Sequence, residues 1–187
     1  MLRDQSLVPA EALRLAALGI LAEAPRRYGD LAVEVRHFAS HIVGPSLELT
    51  GTSLELLRYE GLIEAIQGHG APDNPELGLT ASGRAVLAEL LRASLRGPGT
   101  QFNRLLLALK LRFLHLVPVA VQSEQIRSID GWYRSELDRI EELRRHHLAG
   151  PRLFLDWLDH QAGEIRALLE WLNRAPPVSG GAGGEGP

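Results

Sequence analysis

Side chains that can contact a polyanion gather in two stretches of the sequence. The hydroxyls of Thr50, Thr52 and Ser53 can donate hydrogen bonds to phosphates or base edges. Glu55 can accept a hydrogen bond from the amino group of cytosine. The cations that can neutralise phosphates nearby are Arg26, Arg27, Arg36 and Arg58. These residue types together predict contacts with double-stranded DNA.

The charge balance favours a different partner. Residues 1–96 hold nine basic and twelve acidic side chains, whereas DNA-binding domains usually carry a basic excess. On the helix predicted from Ser46 to Gly61, the side chains that face outward are Glu48, Thr52, Glu55 and Tyr59. Two of these four are carboxylates, which phosphates repel. The alternative is therefore a protein partner with a basic surface, bound through this acidic face.

Other residues that can do chemistry have simpler explanations. His37 and His41 are four apart on a predicted helix, a spacing that can ligate a metal, but we interpret them as a surface pair. The same holds for the cluster of His146, His147, Asp156, Asp159 and His160, so we expect no metal. Three tryptophans, Trp132, Trp157 and Trp171, can either anchor an interface or line a cavity for a small aromatic effector.

Several function classes are excluded by what the sequence lacks. The absence of cysteine rules out a disulfide scaffold and a cysteine zinc site. No nucleophile–base pair, paired carboxylates or glycine-rich phosphate loop stands out, so we expect neither an enzyme nor a cofactor. The longest apolar-rich stretch, Leu105 to Val121, contains charged residues and is too short to span a bilayer. We expect a cytoplasmic protein with no membrane partner.

Hydrophobic periodicity predicts the elements that must position the polar residues. Apolar side chains recur at spacings of three and four from Ala10 to Ala24 and again from Leu31 to Ile42, with Asp30 as the N-cap of the second helix. A third helix runs from an N-cap at Ser46 to Gly61, and it buries Leu47, Thr50, Leu54 and Leu57. Strands at 62–67 and 76–79 form a β-hairpin wing, and Thr80 caps a fourth helix.

The remaining chain is predicted to be helical and to mediate dimerisation. We place a domain boundary at Gly97-Pro98-Gly99, which separates a domain of residues 1–96 from one of residues 97–174. The helix from Gln101 to Val117 is apolar on most of its circumference, and we expect a partner subunit to bury it. Two long helices joined near Gly150 form a hairpin arm, and the glycine-rich tail of residues 175–187 is expected to be disordered.

Three segments resemble the PadR-like regulators. They are Ala17-Leu18-Gly19-Ile20-Leu21 with Tyr28-Gly29-Asp30-Leu31, then Leu54 to Glu64, and then Leu79-Thr80-Ala81-Ser82-Gly83-Arg84. The resemblance covers roughly residues 10–96, and its Leu-Thr-x-x-Gly-Arg pattern also occurs in MarR-like regulators. The chain departs from the family in its acidic third helix and in a wing that has no lysine or arginine.

The resemblance implies a mainly α protein: an N-terminal winged helix–turn–helix with a small β-hairpin wing, followed by a C-terminal helical dimerisation arm. It implies a homodimer whose third helices enter successive major grooves, acting as a repressor that a small molecule relieves. The alternative that the residues leave open is a winged helix that has lost DNA binding and acts through protein–protein contacts.

Overall fold

The computed structural model describes residues 9–43, 54–71, 73–94 and 101–174. They belong to two compact units, residues 1–117 and residues 118–187. The elements of the first unit are α1 (Pro9–Glu23), β1 (Arg26–Arg27), α2 (Tyr28–Val43), α3 (Leu54–Tyr59), β2 (Ile63–Ala71), β3 (Asn74–Leu79), α4 (Ala81–Arg92) and α5 (Gln101–Phe113). The second unit contains α6 (Val119–His146) and α7 (Arg152–Arg174). The predicted disordered tail, residues 175–187, lies outside the described residues.

Helix α1 is the centre of the first unit. Most of its apolar side chains are buried, including Leu15, Leu18 and Ile20, because α2, α4, α5 and β3 all pack around it. Its Gly19 lies against the ring of Phe113 on α5, and the missing side chain lets these two helices approach closely. The predicted class, a mainly α fold with a small antiparallel hairpin, is confirmed.

The wing is a three-stranded antiparallel sheet in the order β1-β3-β2. Strands β2 and β3 are longer than the sequence predicted, because their pairing continues past an irregularity to Gly70 opposite Pro75. Gly70 has a positive φ of 84°, and a Cβ there would lie 2.6 Å from the carbonyl oxygen of Asn74. The sequence prediction missed β1, whose two residues pair with Leu77 and Glu76.

Two predicted helix caps have different outcomes. Thr80 caps α4 as expected: its Oγ1 accepts from the amide of Gly83 at 3.0 Å and donates to the carbonyl of Leu62. The predicted N-cap Asp30 is wrong, since Asp30 lies inside the first turn of α2. The amide of Gly29 instead donates to Oδ1 of Asn74 at 2.9 Å, so a side chain of the wing completes the start of α2.

Helix α5 finds its partners within the first unit. Its buried side chains Leu105, Leu106, Leu109 and Phe113 belong to a helix that packs on α1 and α2. The apolar circumference of this helix therefore needs no second subunit, contrary to the sequence interpretation. The sequence placed the domain boundary before α5, whereas packing divides the units after Val117. The assignment of residues 97–174 to dimerisation stays a prediction.

The second unit is an antiparallel helical hairpin. Ile129 on α6 and four side chains on α7 are buried, namely Leu158, Ala162, Leu169 and Leu172. Arg144 pairs with Asp159 at 2.9 Å and Arg166 pairs with Glu141, so charges also join the two helices. The bond from Arg144 holds the pKa of the Asp159 carboxyl below its usual range. The end of α6 is only partly covered, because Leu143 and His147, which follows the helix, are exposed.

Candidate nucleic-acid interface

Helix α3 supplies the described part of the predicted contact face. Leu54 and Leu57 are buried and anchor the helix, as predicted. Its outward side shows Glu55, Leu56 and Arg58, followed by Tyr59, which is 90% exposed. The predicted contacts Thr50, Thr52 and Ser53, and the buried positions Leu47 and Thr50, lie outside the described residues.

The charges on α3 balance each other. Nη1 of Arg58 lies 3.3 and 3.4 Å from the two carboxylate oxygens of Glu55, one helical turn earlier. Such exposed pairs contribute only about 0.2–1 kcal/mol, so a phosphate can displace the carboxylate. Arg58 is thus available to a polyanion, while Glu55 lowers the positive potential around it.

Strand β1 separates the two neighbouring arginines. Side chains alternate across a strand, so Arg26 and Arg27 point in opposite directions. Nε of Arg26 lies 3.5 Å from Glu34 on α2, and its Nη1 donates to the carbonyl of Pro25. Arg27 is exposed and stands opposite Glu76, which also pairs with His69 at 2.9 Å. Arg26 is therefore held in an ion pair with Glu34 on α2, whereas Arg27 points away from Glu34.

Helix α2 and the wing add little positive charge. Arg36 is exposed on α2 beside the exposed Val33. The described residues of the β2–β3 hairpin include Glu64, Asp73 and Glu76 but neither lysine nor arginine. The contact surface therefore relies on isolated arginines rather than on a continuous basic patch.

A charged cluster that the sequence analysis missed lies between α1, α2 and α5. Nη2 of Arg112 is 2.9 Å from Glu34 and 3.4 Å from Glu23, and its guanidinium lies over the rings of Phe38 and Phe113. A guanidinium over an aromatic face is stabilised by the ring quadrupole. The signal available in the sequence was an arginine that lies between Leu111 and Phe113 in the last turn of α5.

The three tryptophans are not gathered in one cavity. Trp157 lines a groove of about 580 Å³ in the second unit, together with Ile140, Leu143, His147 and Leu158. Trp132 packs edge-on against Tyr133, and Trp171 is half exposed outside this groove.

Neither a metal site nor a membrane span emerges from the described part of the chain. Within those residues no three metal-ligating side chains are close enough to hold an ion, and the rings of His37 and His41 lie 4.0 Å apart and are tilted by 31°. Of the helices that the structure describes, none is long and apolar enough to cross a bilayer.

The elements and their order define a winged-helix protein with a C-terminal helical hairpin. The chain belongs to the family described as "Putative AphA-like transcriptional regulator", whose model matches residues 2–175. No curated protein matches the sequence. A solved chain, smu.1604c from Streptococcus mutans UA159, shares 17% identity over 86% of this chain and 95% of its own, with a TM-score of 0.36.

Proposed function

We propose that this regulator binds double-stranded DNA as a homodimer and represses transcription, on the plan of the PadR-like proteins. The observation that carries the proposal is α3, which buries two leucines and turns its polar side outward immediately before the wing. Family membership supports the role of a regulator. The contacts we propose are Arg27, Arg36 and Arg58 with phosphates and Glu55 with a base edge, together with the hydroxyls of residues 50, 52 and 53. Arg26 is a further phosphate contact when it leaves Glu34.

A second candidate function has its own supporting observation. The arginines near the contact face are matched by carboxylates: Arg58 by Glu55, Arg26 by Glu34 and Arg14 by Glu60. A surface whose cations are already neutralised attracts DNA weakly. It fits instead a basic protein surface that pairs with Glu55 and the acidic wing.

Binding to DNA is tested by changing Arg27 to alanine. We expect the wild-type protein to bind random and native-promoter duplexes in fluorescence anisotropy at about 50 mM salt and to weaken steeply as salt rises. The variant should bind every sequence more weakly, and the slope of log affinity against log salt should fall by about one. The matched control is Arg152→Ala, which removes another exposed arginine, from α7, and should leave the slope unchanged.

Glu55→Lys separates the two candidate functions. If the wild-type protein shows no DNA binding at low salt and the lysine variant gains only sequence-independent DNA binding, the DNA proposal is contradicted. A protein partner would then be the better explanation, and Glu55→Lys should abolish capture of a defined basic peptide.

The homodimer is proposed to form through the hairpin arm. Large apolar side chains stay exposed on this unit, including Leu148, Leu153, Trp157 and Trp171. Trp157 and Trp171 are fourteen residues apart on α7, a spacing that places them on nearly the same helix face. Exposed apolar surface of this kind marks interaction sites, and a second arm would cover it.

Sedimentation equilibrium tests the dimer. We expect the wild-type chain to sediment at twice its mass of 20.5 kDa at micromolar concentration. Trp157→Glu combined with Trp171→Glu should shift the equilibrium toward monomer, because two charges would be buried at the interface. The control Arg174→Glu, at the exposed end of α7, should stay dimeric. A wild-type monomer that is folded by circular dichroism would contradict the proposal.

The small aromatic effector that the sequence suggested stays a prediction. The groove beside Trp157 is the place we propose for it, because the groove combines an aromatic ring and aliphatic side chains with polar groups such as Arg139 and Gln161.

A further inference from the structure

One carboxylate in the first unit serves two arginines that come from different elements. Glu34 on α2 lies 2.9 Å from Arg112 on α5 and 3.5 Å from Arg26 on β1. All three side chains are about one-third exposed. The ion pairs are therefore partly shielded from water but still open to exchange.

The two arginines hold Glu34 unequally. Arg112 makes the shorter contact, and it is fixed further by Glu23 and by the rings of Phe38 and Phe113. Arg26 has a longer contact to Glu34 and a hydrogen bond to the neighbouring carbonyl of Pro25. Because opposite charges attract less as they separate, Arg26 is the more easily released partner of Glu34.

We propose that the ion pair with Glu34 limits the contact of Arg26 with DNA phosphate, and that Arg112 sets how strongly Glu34 attracts Arg26. The inference rests on the proposed DNA-binding function. Arg112 contacts Oε1 of Glu34 and Arg26 contacts Oε2, so both pairs exist together, and Arg112 neutralises part of the charge that holds Arg26. While Arg112 is in place, Arg26 therefore exchanges more readily from Glu34 to a phosphate. If α5 shifts and withdraws Arg112, Glu34 holds Arg26 and the protein loses one cation toward DNA. Glu34 and Arg112 are thus positioning residues, and α5 carries the signal.

The test is a set of salt titrations with a random-sequence duplex, read by fluorescence anisotropy. Glu34→Gln should tighten binding by about three- to tenfold at 100 mM salt and steepen the salt slope, because it releases Arg26. Arg112→Met keeps an unbranched aliphatic side chain but removes the guanidinium from Glu34, so it should weaken binding several-fold. Adding Arg26→Ala to Glu34→Gln should remove the gain.

The matched control is Glu23→Gln. Glu23 pairs with the same Arg112, but among the described ion pairs it has no contact with Arg26. This variant should therefore leave the salt slope unchanged. If Glu34→Gln keeps its gain in the Arg26→Ala background, or if Glu23→Gln gives the same gain, the effect is net charge alone and the inference is overturned.

A measurement without DNA separates this inference from the proposed function. The Nε–H signal of Arg26, followed by NMR, should exchange more slowly with water in Arg112→Met and faster in Glu34→Gln. Unchanged exchange in both variants would overturn the inference even if the protein binds DNA. Changed exchange with no DNA binding would leave the coupling standing and contradict the proposed function alone.

Discussion

Replacing Gly83 by alanine is expected to destabilise the first unit by about 2–3 kcal/mol. In an exposed helix the same change stabilises by up to about 1 kcal/mol, because glycine loses more backbone entropy on folding. Here a Cβ would lie 2.1 Å from the carbonyl oxygen of Leu62 and 2.6 Å from Cδ1 of Leu79. The carbonyl belongs to the backbone and already accepts from Thr80, so it cannot move aside without losing that bond.

Urea unfolding followed by far-UV circular dichroism measures this effect. Hydrogen exchange should show faster opening of β2 and α4, whereas tryptophan fluorescence should change little, since all three tryptophans lie in the second unit. Gly131→Ala is the matched control: it lies inside α6, nothing is within 4 Å of its added Cβ, and it should stabilise. Equal effects of the two variants would show that α4 does not pack as described.

Stability is expected to rise between about pH 8 and pH 10.5 through a single buried group, Lys110. This residue is 1% exposed, and its Nζ donates to the carbonyl of Leu91 at 2.6 Å. Burial lowers the pKa of Lys110 to about 8. The folded state therefore loses this proton at a lower pH than the unfolded chain, whose lysine pKa is 10.5.

The sign follows from proton binding in the two states. Below pH 8 both states are protonated, and the cost of burying the charge is fully present. Above pH 8 the folded state releases its proton while the unfolded state keeps it, so the cost declines until about pH 10.5. The difference between these limits is about 3 kcal/mol, and about 2 kcal/mol of it falls between pH 7 and pH 9.5.

Urea unfolding at pH 7 and pH 9.5 tests this prediction, with Lys110→Met as the comparison. Lys110 is the only lysine in the sequence, so no other lysine titrates in this window, and the tyrosines are common to both proteins. The variant should lose the rise that wild type shows. The same change in the free energy of unfolding between pH 7 and pH 9.5 for both proteins would mean that Lys110 keeps an ordinary pKa in the folded state.

Local signals explain which elements the sequence predicted. Helices α1 and α2 and the cap at Thr80 follow from apolar spacing and from a hydroxyl before a helix, and both signals act within a few residues. The wing strands were predicted because the helical spacing of apolar residues ends at Gly61. On α3, the burial of Leu54 and Leu57 predicted which side faces outward, and the structure agrees.

Contacts between distant residues explain what the sequence could not predict. Strand β1 has two residues and no period of its own, and it exists because β3 pairs with it. The start of α2 is completed by Asn74, 45 residues later, rather than by the adjacent Asp30. The pair of Arg112 and Glu34 joins residues 78 apart, so no helical spacing indicates it.

The sequence by itself therefore determined the helices, the wing and the polar side of α3, because periodicity and capping are local properties. Tertiary structure decided what particular residues do within that frame. Packing turned Gly83 from an unfavourable helix residue into a required one, and burial made Lys110 a titrating group. Packing also placed α5 in the first unit, and it paired Arg26 with Glu34 while Arg27 stayed exposed. These outcomes depend on which distant surfaces meet, so local sequence signals do not indicate them.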